Sequence, residues 1–424
     1  MLIFERVPML LKLINAGYRV IVALMTIVLI IVQSRLYLPT TAQAGPGKIG
    51  PEVPDQLRFV RGALDRGAGT EMQTLFPEGY FFSYVLYGLA WVDLGQSLAP
   101  NDPLRRTAIS EARWAAEQLN TPAGLAPFSP ALDPPFGVFA IGWRAWLQGG
   151  LLKLLAPEQR PAELVEQVVI DCGLLDAAFS RSATPFLSAY PNQAWPVDSV
   201  VAVAALRRCD TLFGVQHAPT VERWLSQAKT LLDPATGLLP HRVDPLTGQA
   251  IDGARGSSQS IIQRFLPAIN TAWGLEQYQR FRELFVTTIL GVPGIREYPI
   301  GQEGLGDVDS GPLLFGVSLS ASAVTLGAAR AWGDTTLAEP LRQTGEWLGM
   351  PIDWSGERRY AFGLVPVGDA FLVWSKTAPL WPATTNAPHF AAVVPTWWRF
   401  GAHIAGVALL ALLWWPVLRR RTKS

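Results

Sequence analysis

The sequence predicts an all-α fold: an (α/α) toroid of about five to six helical hairpins with small β-hairpins, set between N- and C-terminal transmembrane segments. Three observations lead there. Helical segments that are apolar on nearly every face alternate with amphipathic ones, and the pair recurs about every 55 residues. An acidic residue stands near the start of successive apolar segments, at Glu78, Asp133, Asp198, Asp252 and Asp309. The two ends of the chain differ from the rest, each joining basic residues to an apolar run.

From the N-terminus, residues 1–19 carry Arg6, Lys12 and Arg19 and are expected in the cytoplasm. Residues 20–38 contain the run VIVALMTIVLIIV, expected as a transmembrane signal anchor. Thr41-Ala42-Gln43-Ala44 supplies a small-residue cleavage motif, so a signal peptide cleaved near residue 44 is the other reading. Residues 39–54, rich in Pro, Gly and Thr, read as a linker. At the far end, residues 400–418 are apolar apart from His403. About 19 residues at roughly 1.5 Å each match the ~30 Å hydrocarbon core. Trp397 and Trp398 mark one interface, Trp414 and Trp415 the other, and residues 419–424 carry Arg419, Arg420, Arg421 and Lys423. Basic ends stay inside. Residues 55–395 are therefore expected outside the cytoplasm, as the periplasmic domain of an inner-membrane protein with the bilayer as partner.

Within that domain, residues 80–94, 137–155, 199–212, 257–268 and 312–332 are apolar or small on nearly every face and must be buried all round. Between them lie amphipathic stretches at 103–119, 161–179, 220–232 and 337–348. The third places Val221, Trp224, Leu225, Ala228, Leu231 and Leu232 on one helical face. Inner helices lining an axis and outer helices covering them account for the alternation. Residues 55–63 open the outer layer. A sixth pair is not visible. Instead, residues 360–375 read as a β-hairpin turning at Gly368-Asp369, and residues 237–251 as a second short β excursion.

Composition narrows the function. With a net charge of +1 and 16% charged residues, the chain has no electrostatic footprint for nucleic acid. Two cysteines do not make a disulfide scaffold, and Cys172 and Cys209 read either as a pair or as separate helix thiols. The four histidines (His217, His241, His389, His403) are scattered, so no metal and no cofactor are expected. No G-x-S-x-G, H-E-x-x-H, phosphate-binding or dinucleotide-binding motif occurs.

In a ring of hairpins, the loops before the inner helices gather at one mouth. Orphan N–H groups and positive dipole ends there favour carboxylates and hydroxyls. Four segments with acids, amides or hydroxyls stand at that position: 76–80, 190–199, 255–260 and 307–312. They supply Glu78, Asp198 and Asp309 as candidate acid/base residues. Tyr190, Asn192, Trp195, Arg255, Ser257 and His241 are the candidate substrate-binding residues. Plainer roles are open for each: Asp198 and Asp309 as helix caps, Arg255 as an ion-pair partner, His241 as a hydrogen-bonded loop residue. Tyr84, Tyr87 and Trp91 read as core.

The pattern over residues 70–350 resembles the α/α-toroid superfamily of six-hairpin glycosidases, polysaccharide lyases and sugar epimerases. Trp195-Pro196-Val197-Asp198-Ser199 and Asp307-Val308-Asp309-Ser310-Gly311-Pro312 are also similar to phrases in linalool dehydratase/isomerase-like proteins. Either resemblance implies acid/base chemistry on hydroxylated substrates within a central funnel. Three functions follow as expectations. The first is a carbohydrate-active hydrolase or lyase with paired carboxylates. The second is a dehydratase/isomerase-like enzyme on a small hydroxylated lipid or terpenoid. The third is a non-catalytic glycan-binding or envelope scaffold protein.

Overall fold

The computed structural model describes residues 6–37, 49–381 and 390–421. Most of the 39–54 linker, the 41–44 cleavage motif, His389 and Lys423 lie outside the described residues. The protein is mostly helical with a few small sheets, compatible with an α/α toroid.

After α1 (Arg6–Ser34), helices α2 (Val53–Asp65), α3 (Ala68–Leu75), α4 (Gly79–Ser97), α5 (Pro103–Leu119), α6 (Pro122–Leu125), α7 (Gly137–Leu154) and α8 (Ala162–Arg181) follow. Then come α9 (Pro196–Phe213), α10 (Ala218–Thr230), α11 (Gly256–Ile269), α12 (Thr271–Phe285), α13 (Leu319–Ala331), α14 (Thr335–Leu348), α15 (Pro366–Lys376) and α16 (Trp398–Arg421). Six of them pack in cyclic order. Helix α4 packs on α7, α7 on α9, α9 on α11, α11 on α13, α13 on α15, and α15 returns to α4. The others cover this ring: α2 over α15 and α4, α5 over α4 and α7, α8 over α7 and α9, α10 over α9, α12 over α11, and α14 over α13.

The sequence explains this layering. In α4 every residue from Ser83 to Gly95 is buried, which only a helix enclosed on all sides tolerates. In α5 the buried residues are Ala108, Ala112, Ala115, Ala116 and Leu119, one stripe facing inward. Its start is fixed by Asp102, whose carboxylate accepts the Leu104 N–H, with Pro103 at the first helical position.

Three sequence expectations change. Residues 360–375 do not form a β-hairpin. The segment becomes α15, the sixth inner helix, because Ala370, Leu372, Val373 and Trp374 are all needed in the core. Gly368-Asp369 sits in its first turn, and the Asp369 carboxylate accepts from the Tyr360 N–H and the Gln56 side-chain amide. Helix α15 is held to its neighbours by Lys376 and by Glu346 on α14, 2.8 Å apart, with Arg358 2.6 Å from the other Glu346 oxygen. Inner helix α13 starts at Leu319 rather than near Pro312, capped by Ser318 on the Ala321 N–H. Outer helix α12 and the short α3 are additions to the expected set.

The strands are β1 (Arg242–Val243), β2 (Ala250–Asp252), β3 (Val286–Ile289), β4 (Val292–Arg296), β5 (Leu313–Leu314), β6 (Val317–Ser318), β7 (Ile352–Trp354) and β8 (Glu357–Arg359). Strands β1 and β2 realise the excursion expected near 237–251. A four-stranded antiparallel sheet in the order β3-β4-β6-β5 fills the connection from α12 to α13.

Helices α1 and α16 are long and apolar enough to cross a membrane. They pack antiparallel, through Tyr18 Oη donating to the Leu413 carbonyl (3.1 Å) at one end and Gln33 Nε2 to the Ala402 carbonyl (2.8 Å) at the other. Ile21, Leu24, Ile27, Val407 and Leu412 face outward, unlike the side chains of a core helix. The end of α1 reaches α14, and α16 reaches β4. Gly401 is required where α16 begins, because a Cβ there would lie 1.7 Å from the Leu290 carbonyl oxygen. Cys172 and Cys209 are buried and free.

Candidate functional site

The first two turns of all six ring helices line one cavity of about 420 Å³. Its floor is apolar: Phe82 on α4, Phe139 on α7, Ile261 on α11, Val324 on α13 and Phe371 on α15. Polar groups stand above the floor, on the loops that enter the helices and in the first turns of α9 and α11. They are Glu78, Tyr190, Asp198, His241, Ser257 and Asp309. Residues 76–78, 190–198, 241 and 257–261 thus converge with the α13 loop on one open cavity.

Asp198 is in the first turn of α9, but it is not the cap. Trp195 holds the cap position, and no side chain caps this helix. The carboxyl is buried and accepts no hydrogen bond from any described residue. Burial, reinforced by the charges of Glu78 and Asp309, holds it well above the usual carboxylate range. The shift favours the protonated, proton-donating form.

Glu78 immediately precedes α4 and also caps nothing. It accepts a hydrogen bond from the Tyr190 hydroxyl, which fixes the direction of its carboxylate. Tyr190 is pushed upward by burial and then by Glu78, so its phenol stays protonated and donates. The Tyr190 ring stacks near Phe128, with centroids 5.8 Å apart, and meets the edge of Trp195 at 6.1 Å.

Asp309 lies on the loop before β5 and lines the cavity, with half of its side chain exposed. Burial, with Asp307 and Glu78 adding negative charge, raises it to about 6 against the pull of Arg255. His241 is depressed to about 3 by burial and then by the Arg255 charge, so its imidazole is neutral. Its Nδ1 is 2.5 Å from Ser258 Oγ. Its Nε2 is 3.9 Å from Asp309 Oδ2, a polar approach without charge on the ring.

Two candidates are corrected. Arg255 does not line the cavity, and two of its three guanidinium nitrogens face carboxylates, while the third is buried without a hydrogen-bond partner among the described residues. Its Nε lies 2.8 Å from Glu297 Oε1, and a terminal nitrogen lies 2.6 Å from Asp307 Oδ2. Glu297, fully buried, also accepts the Ser257 N–H (3.0 Å) and Ser257 hydroxyl (2.7 Å) at the start of α11. Asp307 accepts the N–H groups of Asp309 and Ser310. Arg255 thus fastens the Asp309 turn to the α11 terminus. Gly256 permits this approach, since a Cβ there would meet the Arg296 carbonyl at 2.0 Å. Asn192 is exposed at the tip of the 190–193 turn with φ 58°, outside the cavity lining, and Gln193 lines the cavity instead.

Of the five periodic acids, Asp133 forms a surface ion pair with Arg181, and Asp252 stands 3.5 Å from Arg255. Only the other three line the cavity. Ser258 falls within the 255–260 segment, whereas the sequence pattern does not single out the floor aromatics Phe82, Phe139 and Phe371. Their signal was an aromatic within the first two turns of an inner helix, indistinguishable in one dimension from ordinary core. Among the described residues, no group of three or more His, Cys, Asp and Glu side chains is placed to hold a metal ion.

No family model matches the chain, and no curated protein matches it. Among solved structures, it is similar to the one titled "Crystal structure of D-mannose isomerase", with a TM-score of 0.40 and 10% identity, over 69% of this chain and 86% of that one. Similarity of this degree assigns no residue and no reaction.

Proposed function

We propose that the protein is a membrane-anchored acid/base enzyme whose domain acts outside the cytoplasm on a small hydroxylated molecule with an apolar body. The observation that carries the reading is Asp198, a buried carboxyl with no capping duty, above an aromatic floor and beside two other carboxyls whose charges favour its protonated form. Carboxyls in unequal environments divide acid and base roles between them. Asp198 protonates a leaving hydroxyl, and Glu78, aimed by Tyr190, takes a proton from the neighbouring carbon. The C–O and C–H bonds break, a C=C bond forms, and water leaves. The reverse sequence adds water, and proton return at another carbon isomerises the product. The floor of Phe82, Phe139 and Phe371 binds the apolar body and excludes water. The antiparallel α1–α16 pair supports the anchoring, because it puts the start of α1 and the end of α16 on one side.

A second reading, a carbohydrate-active hydrolase or lyase, is favoured by Trp195, Tyr190 and Gln193 at the mouth, where aromatic faces adjoin an amide. The two separate in one experiment. The full chain in detergent is incubated in D₂O with a panel of short-chain allylic and tertiary alcohols, and with aryl glycosides. Dehydration or deuterium incorporation with the alcohols, lost in Asp198→Asn, is the expected result. Glycoside cleavage alone supports the second reading. Turnover of neither class sinks the enzyme assignment and favours a non-catalytic glycan-binding or envelope role.

A further inference from the structure

Several of the domain's exposed large apolar side chains lie in the two connections that enter α13 and α15. Leu305 (88% exposed), Val308 and Phe315 (77%) lie in the connection entering α13, and Leu319 is that helix's first residue. Leu364 (76%) and Val365 lie in the connection entering α15. The connection from α9 to α10, at the opposite end of the ring, exposes Val215. Single apolar residues on a surface are ordinary, whereas a contiguous set marks an interaction. Val308 belongs both to this set and to the cavity lining, so the patch is the rim of the mouth. Phe315 and Phe362 are held at φ 50° and 60°, a region unfavourable to bulky residues, and both rings are presented outward.

What covers the rim follows from its neighbours. The two connections flank α14, the helix on which the end of α1 and the turn at Arg35–Tyr37 pack. Strand β4, within the first connection, carries the start of α16. Arg399 binds the Leu36 carbonyl and Gln343 Oε1, locking both apolar helices to α14. The rim is therefore continuous with the place where these helices leave the domain.

We propose that the cavity mouth rests on the bilayer spanned by α1 and α16, and that the site draws a membrane-partitioned alcohol directly from the lipid phase. This inference rests on the anchoring and acid/base readings above. An alcohol with an isoprenoid-like or short acyl body concentrates in lipid. It crosses an apolar rim without rehydration and places its hydroxyl at the carboxyl layer, its body against Phe82, Phe139 and Phe371. A hydrated glycan gains nothing from such a rim.

Single cysteines replacing Leu305, Phe315, Leu364 and Val215 test it in the full chain, since Cys172 and Cys209 are buried. Each is labelled with a polarity-sensitive fluorophore and reconstituted in nanodiscs containing doxyl-labelled lipid. Blue-shifted, quenched emission at the first three positions and water-like emission at Val215 is the expected pattern. Water-like emission at all four positions overturns the proposal. Phe315→Ser with Leu364→Ser should raise KM for a vesicle-dissolved alcohol about tenfold and leave a soluble short-chain alcohol unaffected; equal effects on both also count against it. Alkaline carbonate extraction reads the anchoring separately, and release of the chain defeats anchoring and docking together. Quenching without turnover of any alcohol leaves the docked mouth standing and removes only the chemistry.

Discussion

The Tyr190 hydroxyl donates a hydrogen bond to the Glu78 carboxylate, joining two loops 112 positions apart in the chain at the mouth of one cavity. One loop leads into α4 and the other toward α9, so the bond exists only because the ring brings the two helix starts together. It gives the proposed base a fixed direction, with Asp198, pushed upward by burial, alongside. Tyr190→Phe removes the bond and keeps the ring against Phe128 and Trp195. The expected result is a fall in kcat of about tenfold or more with little change in KM. Glu78→Gln should fall further, by about 10²–10⁴-fold, the range for losing a general acid or base. Steady-state kinetics on the alcohol substrate check both.

Asp198→Asn separates chemistry from stability. Turnover should drop by about 10²–10⁴-fold. The folded value of Asp198 lies above its unfolded one, so the native state binds more protons and stability falls as pH rises through the folded value. Asparagine cannot ionise and abolishes that slope. Thermal unfolding at pH 5 and pH 8 should show the variant less pH-sensitive than the parent. A variant that is strongly destabilised at both pH values would make Asp198 a structural residue.

The pH profile of kcat/KM should carry a limb near 6, rising with pH, as Asp309 ionises from its elevated value and its charge favours the protonated form of Asp198. Asp309→Asn should remove the limb. His241, depressed to about 3, should contribute none between pH 5 and 8, and its ring resonances in nuclear magnetic resonance spectra should not titrate there.

Arg255→Ala strands Glu297, a fully buried carboxylate whose other partners are the Ser257 N–H and hydroxyl. Removing one partner of a buried pair costs about 3–5 kcal/mol. Chemical denaturation should register that loss. Arg255→Lys should recover only part of it, because an ammonium cannot serve Glu297 and Asp307 in the same fork geometry.

Ring closure has its own signature. Glu346 is held down at about 2: burial opposes its charge, but Lys376 and Arg358 beside it more than compensate. Its contribution is fully present above the ordinary carboxylate value and disappears as pH falls from about 4.5 toward 2. Glu346→Gln should lower stability at pH 7 and flatten the acid limb of the unfolding profile. Equal losses at pH 7 and pH 2.5 would contradict this role.

The sequence alone determined the layering and the ends. Helices apolar on every face can only be interior, and helices with one apolar stripe can only cover them, so α4, α7, α9 and α11 were legible to within a few residues. The outward apolar faces of α1 and α16 were legible as long uncharged runs for the same reason. Glu78, Asp198, Asp309, Tyr190 and His241 were legible as polar residues before buried helices, a position that ring topology sends to one mouth. Tertiary structure alone decided the rest. Residues 366–376 are rich in β-branched and aromatic side chains, and only the gap between α13 and α4 makes them a helix, since that gap needs a sixth inner element. Arg255 was open between ligand binding and an ion pair because its partners Glu297 and Asp307 lie 42 and 52 positions away in the chain. The aromatic floor was hidden because a cavity wall and a packed core use the same residues. They differ only in whether other side chains fill the space before them, a volume that no local pattern encodes.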